Sequence, residues 1–135
     1  MSHVSKIDTK IQNLVYLKKA IEALGMQYTE SKENLLLTVK GYGKNENIED
    51  CVMEIKTGCQ YGVGIRRNGK RYEVVADWWA VETFTGQTQE SFLNKLTRQY
   101  AYETVMDKIK DMGYSIVQQD CDTKDMTRIT VRRWV

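Results

Sequence analysis

Asn68-Gly69 stands between two runs of alternating apolar and polar residues, 61–67 and 70–77. Both residues tolerate positive φ, and a two-residue loop of this kind matches the right-handed twist of the strands it joins. The pair predicts an antiparallel hairpin, and a hairpin loop sets register. With Asn68-Gly69 as the loop, Arg67 faces Lys70, Arg66 faces Arg71 and Ile65 faces Tyr72. Gly64 then faces Glu73, Val63 faces Val74 and Gly62 faces Val75. One face carries Tyr61, Val63, Ile65, Tyr72, Val74 and Ala76, which makes it the core face. The other carries Gly62, Gly64, Arg66, Arg71, Glu73 and Asp77. Any fold for this chain has to build a sheet around that hairpin.

The rest of the chain supplies elements to cover it. Residues 2–11 read as a strand, and Asn13 is placed to cap a helix with the stripe Leu14, Leu17, Ile21 and Leu24, ended by Gly25. Residues 35–39 read as a second strand, and 41–47 as a glycine-punctuated loop. Cys51, Met53 and Ile55 alternate with Val52, Glu54 and Lys56 as a half-buried strand. Thr88 is placed to cap a long helix to Met112, with Gly113 beyond it. Leu93, Leu96 and Tyr100 share one face of that helix. Past Ala101 the apolar residues Tyr102, Val105, Ile109 and Met112 lie half a turn away, and Glu103, Asp107 and Asp111 take the original face. Either the helix breaks near Ala101, or something other than the first half's sheet covers its second half. Residues 114–117, a polar turn at 122–125 and a strand through Ile129 and Val131 close the chain. The expectation is one α+β domain over 1–135, a largely antiparallel sheet with two main helices packed on it.

Composition narrows the functional classes. The 135 residues are 41% apolar and 28% charged, which suits a folded domain. No apolar run approaches the ~20 residues of a membrane span. A net charge of +2 is too small for general nucleic-acid binding. Three cysteines (Cys51, Cys59, Cys121), no CxxC pair and no leader-like opening point to free thiols in a cytoplasmic setting. Those cysteines and His3 would have to come together from four distant segments to hold zinc, so neither metal nor cofactor is expected.

Three places carry candidate chemistry. Arg66 and Arg71, opposite each other beside a trough left by Gly62 and Gly64 and close to Asp77, form a clamp for a phosphate or carboxylate. The competing reading packs a helix into the trough and neutralises the arginines with Glu73. Adjacent Trp78 and Trp79, in a strand-to-loop stretch, point to opposite sides, so one is available to a partner. On the terminal strand Arg128, Thr130, Arg132 and Trp134 share a face, a weak nucleic-acid signal that also suits a charged edge strand. Catalysis finds little: His3 is the single histidine, 41–44 lacks phosphate-loop spacing, and pairing Glu54 with Glu73 or Asp77 has no support from spacing. No enzyme is expected.

Several segments together resemble a known family. They are 2–7 with the helix ending Ala23-Leu24-Gly25, the stretch 64–77, Phe92-Leu93, 99–102, Gly113-Tyr114 and Arg133-Trp134. They are similar to a conserved hypothetical family of algal plastids and cyanobacteria, the hypothetical chloroplast reading frame thirty-five, with relatives in other bacteria and bacteriophages. The resemblance spans nearly the whole chain and brings no catalytic residues. Bacterial members encoded beside AAA+ ATPases imply an adaptor role, in cytoplasm or plastid stroma. A phage member, in its host's cytoplasm, fits sequestration of a host signalling molecule.

Two hypotheses follow. The first is a non-enzymatic binding or adaptor module that docks a protein partner, or a copy of itself, through Tyr102, Val105, Ile109 and Met112 with Trp78 or Trp79. The second is a binder of a small anionic, nucleotide-like ligand at Arg66 and Arg71.

Overall fold

The computed structural model describes residues 4–33, 35–121 and 127–133. Its elements run β1 (Val4–Asp8), α1 (Leu14–Ala23), β2 (Tyr28–Glu30), β3 (Leu37–Val39), β4 (Ile48–Cys51), β5 (Met53–Ile55), β6 (Val63–Asn68), β7 (Arg71–Asp77), α2 (Trp78–Thr85), α3 (Gln89–Asp111), β8 (Tyr114–Cys121) and β9 (Thr127–Arg133). The main sheet has the order β1-β7-β6-β5-β2, with every neighbouring pair antiparallel. Two ribbons accompany it, β3-β4 and β8-β9. This is the expected α+β class.

The alternation in β6 and β7 sorts residues to two faces. Val63, Ile65, Val74 and Ala76 meet Leu17 and Ile21 of α1, Trp78 and Val81 of α2, and Phe92 and Leu96 of α3 in the principal core. Val75, on the opposite face, packs with Val39, Ile48 and Cys51 of the β3-β4 ribbon in a second, smaller core. The sheet is therefore a middle layer, helices on one side and a ribbon on the other.

The hairpin forms, but in a different register. Its loop is Gly69-Lys70, with Asn68 opposite Arg71, Arg66 opposite Glu73, Ile65 opposite Val74 and Gly64 opposite Val75. Only Gly69 of the loop has positive φ, 64°, and Asn68 has none. Glycine at the first central position satisfies the loop type that asks nothing unusual of the second residue. Each pairing moves by two positions, so the side-chain period of two keeps the faces and changes only the partners. Arg66 gains a carboxylate opposite it in place of a second guanidinium.

Other differences have local causes. Trp78-Trp79 opens α2, because Asp77 accepts from Ala80 N at 3.2 Å as its cap and Gly86, at φ 78°, ends it. There are thus three helices among the described residues. The run 51–55 divides between two sheets: the chain bends at Val52, between β4 and β5, so Cys51 enters the small core and Met53 the principal one. Strand β2 lies in a stretch without clear alternation and forms by pairing with β5. The caps Asn13 and Thr88 and the stops Gly25 and Gly113 stand where the sequence places them.

Helix α3 is unbroken across Ala101. Its polar second half faces α1, not the sheet. Tyr100 Oη accepts from Gln12 N at 3.2 Å and Asn13 N at 3.1 Å, and Tyr16 Oη donates to Asp107. The carboxylate on that face has a phenol to accept from, which is why the apolar stripe turns elsewhere.

Candidate functional site

The arginine clamp does not form. Arg66 Nε donates to Glu73 Oε1 at 2.9 Å, and Glu73 is buried with its other oxygen 3.8 Å from Lys6 Nζ. Arg71 is exposed two residues along β7, where with Asp8, Thr9, Asn68 and Tyr72 it rims a hollow of about 190 Å³. The glycine trough is filled. A Cβ on Gly64 would stand 2.6 Å from Cys51 Sγ, and one on Gly62 would collide with the Glu54 carboxylate. The ribbon, not a helix, occupies it at Gly64, and a side chain of β5 does so at Gly62.

Asp77 serves structure. It is fully buried, and while one oxygen caps α2 the other accepts from Tyr42 N at 3.0 Å. One carboxylate thus ties the 41–47 loop to the start of a helix. Glu54 pairs with Lys56 at 3.1 Å, so Glu54, Glu73 and Asp77 each have a partner of their own. Burial pushes the Cys51 thiol up to about 11, against the pull of the Arg66 guanidinium, so it is protonated and unreactive near neutrality. Among the described residues no cluster of potential metal ligands occurs. His3 and Trp134 lie outside the described residues. Arg128, Thr130 and Arg132 lie on β9.

The two tryptophans separate, but not as strand neighbours. Trp78 is core, its ring 5.8 Å from Phe92. Trp79 is half-buried and leads to a feature that single-residue reading missed. Its ring meets Tyr42 edge-on at 4.9 Å, Tyr42 stacks on Phe84 at 6.3 Å, and Tyr61 lies 5.4 Å from Phe84. Tyr61 is buried, whereas Tyr42 and Phe84 are 51% and 52% exposed. Lys40 Nζ stands 5.9 Å from the Tyr61 ring centroid. The signal for Tyr42 was its setting, Gly41-Tyr42-Gly43: a Cβ on Gly41 would collide with the Glu46 backbone, so glycine lets the loop fold back. Nothing in the spacing of 42, 61, 79 and 84 shows that they meet.

On α3 the stripe is partly available. Val105 and Met112 are 44% and 65% exposed, and Tyr102 and Ile109 are half-buried.

The arrangement is a half-exposed aromatic patch formed by residues 42, 61, 79 and 84 and a partly exposed apolar stripe on the second half of α3. A family model described as a protein of unknown function, DUF1257, matches residues 20–130. The chain belongs to the DUF1257 family. Its similarity to "Uncharacterized protein ycf35" of Guillardia theta is 33% identity over 140 residues, covering 99% of this chain and 98% of that one. The protein of the same name in Cyanophora paradoxa is 28% identical over 136 residues with the same coverage, and that of Pyropia yezoensis 30% over 140. These relatives confirm the resemblance to the algal reading-frame family. No solved structure matches the chain. Among the described residues of this DUF1257 member, no helix is long and apolar enough to cross a membrane.

Proposed function

We propose that this protein is a non-enzymatic binding module that docks a protein partner through the Tyr42–Trp79–Phe84 patch. The observation that supports it is the half-exposure of Tyr42 and Phe84 over a buried Tyr61 and a half-buried Trp79. Aromatic rings have few rotamers to lose, so a cluster already packed in water binds at a low ordering cost. Asp77 strengthens this by holding the Tyr42 backbone and the start of α2 at once. Lys40 beside Tyr61 favours a partner segment with an apolar anchor and an acidic neighbour.

The test is a photo-crosslinking amino acid in place of Phe84 in cells, followed by affinity measurement with the protein it captures. Phe84→Ser and Tyr42→Ser are expected to weaken that complex by about tenfold or more, with the fold intact by circular dichroism. Val105→Asp and Met112→Asp are expected to leave it unchanged. Loss confined to the α3 variants would favour self-association or docking through that stripe, the second reading that its exposed Val105 and Met112 support.

A further inference from the structure

Between the end of α1 and the first half of α3 lies a hollow of about 330 Å³, lined by Leu24, Ser91, Asn94, Lys95, Arg98 and Gln99. A second, of about 350 Å³, adjoins it and shares Lys95. Its other walls include Gln27, Lys56, Thr57 and Gln87. Three basic side chains border the groove that these two hollows form around Lys95; Lys56 is paired with Glu54, and no Asp or Glu lines either hollow.

Lys95 sits where the two hollows meet. It is half-buried, and among the described residues no carboxylate pairs with it. A partly desolvated ammonium without a counter-charge is unfavourable, and an anion bound in the groove removes the penalty. The plainer explanation is that Lys95 satisfies the end of α1. Three of the last four carbonyls there are already occupied: Leu24 N donates to Ala20 O at 3.0 Å, Gly25 N to Glu22 O at 3.0 Å and Met26 N to Ile21 O at 3.1 Å. The Gln99 amide donates to Glu103 at 3.2 Å, and those of Gln27, Gln87 and Asn94 offer donors and acceptors in equal number, which suits a polar body attached to the charged group. Each hollow is at the lower end of the range for small-molecule sites.

We propose that this groove binds a small phosphate-bearing molecule of nucleotide size, with its phosphates at Lys95. None of its lining residues belongs to the aromatic patch, so the two sites fail or succeed separately. The experiment is isothermal titration of the full chain with ADP, inorganic pyrophosphate and adenosine. ADP and pyrophosphate are expected to bind one to one, more weakly as ionic strength rises, and adenosine not to compete. Lys95→Glu is expected to lower ADP affinity by about tenfold or more, and Lys95→Gln by less. Lys18→Glu serves as the control, since Lys18 pairs with Glu30 outside the groove. Melting temperatures verify that each variant is folded, and Lys95→Gln carries the test if Lys95→Glu is not. Absence of ADP binding, equal affinity in the Lys95 and Lys18 variants, or adenosine binding as tightly as ADP would overturn the proposal.

Discussion

Glu73 is buried in the middle of β7, and its partner across the ladder decides whether that is tolerable. Arg66 stands opposite and donates at 2.9 Å, with its own side chain 29% exposed. Removing the guanidinium leaves a buried carboxylate with only Lys6, at 3.8 Å and mostly exposed, to offset it, while removing Arg71 takes away only an exposed side chain opposite Asn68. Arg66→Ala should therefore cost roughly 2–3 kcal/mol once partial solvation of the pair is allowed for. Arg71→Ala should stay within about 0.5 kcal/mol. Urea denaturation of the two variants reads the difference directly, and equal costs would contradict the register.

The two glycines of the outer sheet face behave differently as elements pack against them. At Gly64 in β6 a methyl group would meet Cys51 Sγ at 2.6 Å, Val39 Cγ2 at 3.3 Å and Val75 O at 3.4 Å. Those atoms belong to the β3-β4 ribbon and to β7, so the ribbon has to lift. At Gly62 the obstacle is the far end of Glu54, a flexible side chain 18% exposed that can swing aside, though it would leave Lys56. Gly64→Ala should lower stability by about 1–3 kcal/mol, as overpacking does. Gly62→Ala should cost clearly less, and thermal unfolding of the pair is the measurement. Helix α2 shows how an element escapes sequence reading. Trp78-Trp79-Ala80-Val81 continues the apolar run of β7, and only the Asp77 cap and Gly86 mark the change of structure.

For the molecule as a whole, the small core gives stability a pH dependence on the alkaline side. The Cys51 thiol titrates at about 11 in the folded protein against an ordinary value of 9.0, because burial disfavours the thiolate. The folded state keeps a proton that the unfolded chain releases above pH 9. Its contribution is thus complete below 9 and declines as pH rises through 11, by up to about 3 kcal/mol. Tyr16, donating to Asp107, and Tyr28, held back by burial and by Glu22, are also raised and act in the same direction. Denaturant titrations across that range should show falling stability, with a flatter decline in Cys51→Ala. An identical slope in the variant would mean the thiol is not the cause.

Local chemistry made the α+β class, the caps Asn13 and Thr88, the glycine stops and the face assignment of the hairpin readable from the chain, because each depends on residues a few positions apart. The pairing partner of Arg66 was not readable. Two loops, Asn68-Gly69 and Gly69-Lys70, fit the same residues, and only the closed sheet, with Glu73 buried and needing a cation, chooses between them. The aromatic patch and the basic groove likewise belong to the tertiary structure. Tyr42, Tyr61, Trp79 and Phe84, or Lys56, Lys95 and Arg98, become neighbours only when distant segments pack, and no spacing along the chain encodes that distance.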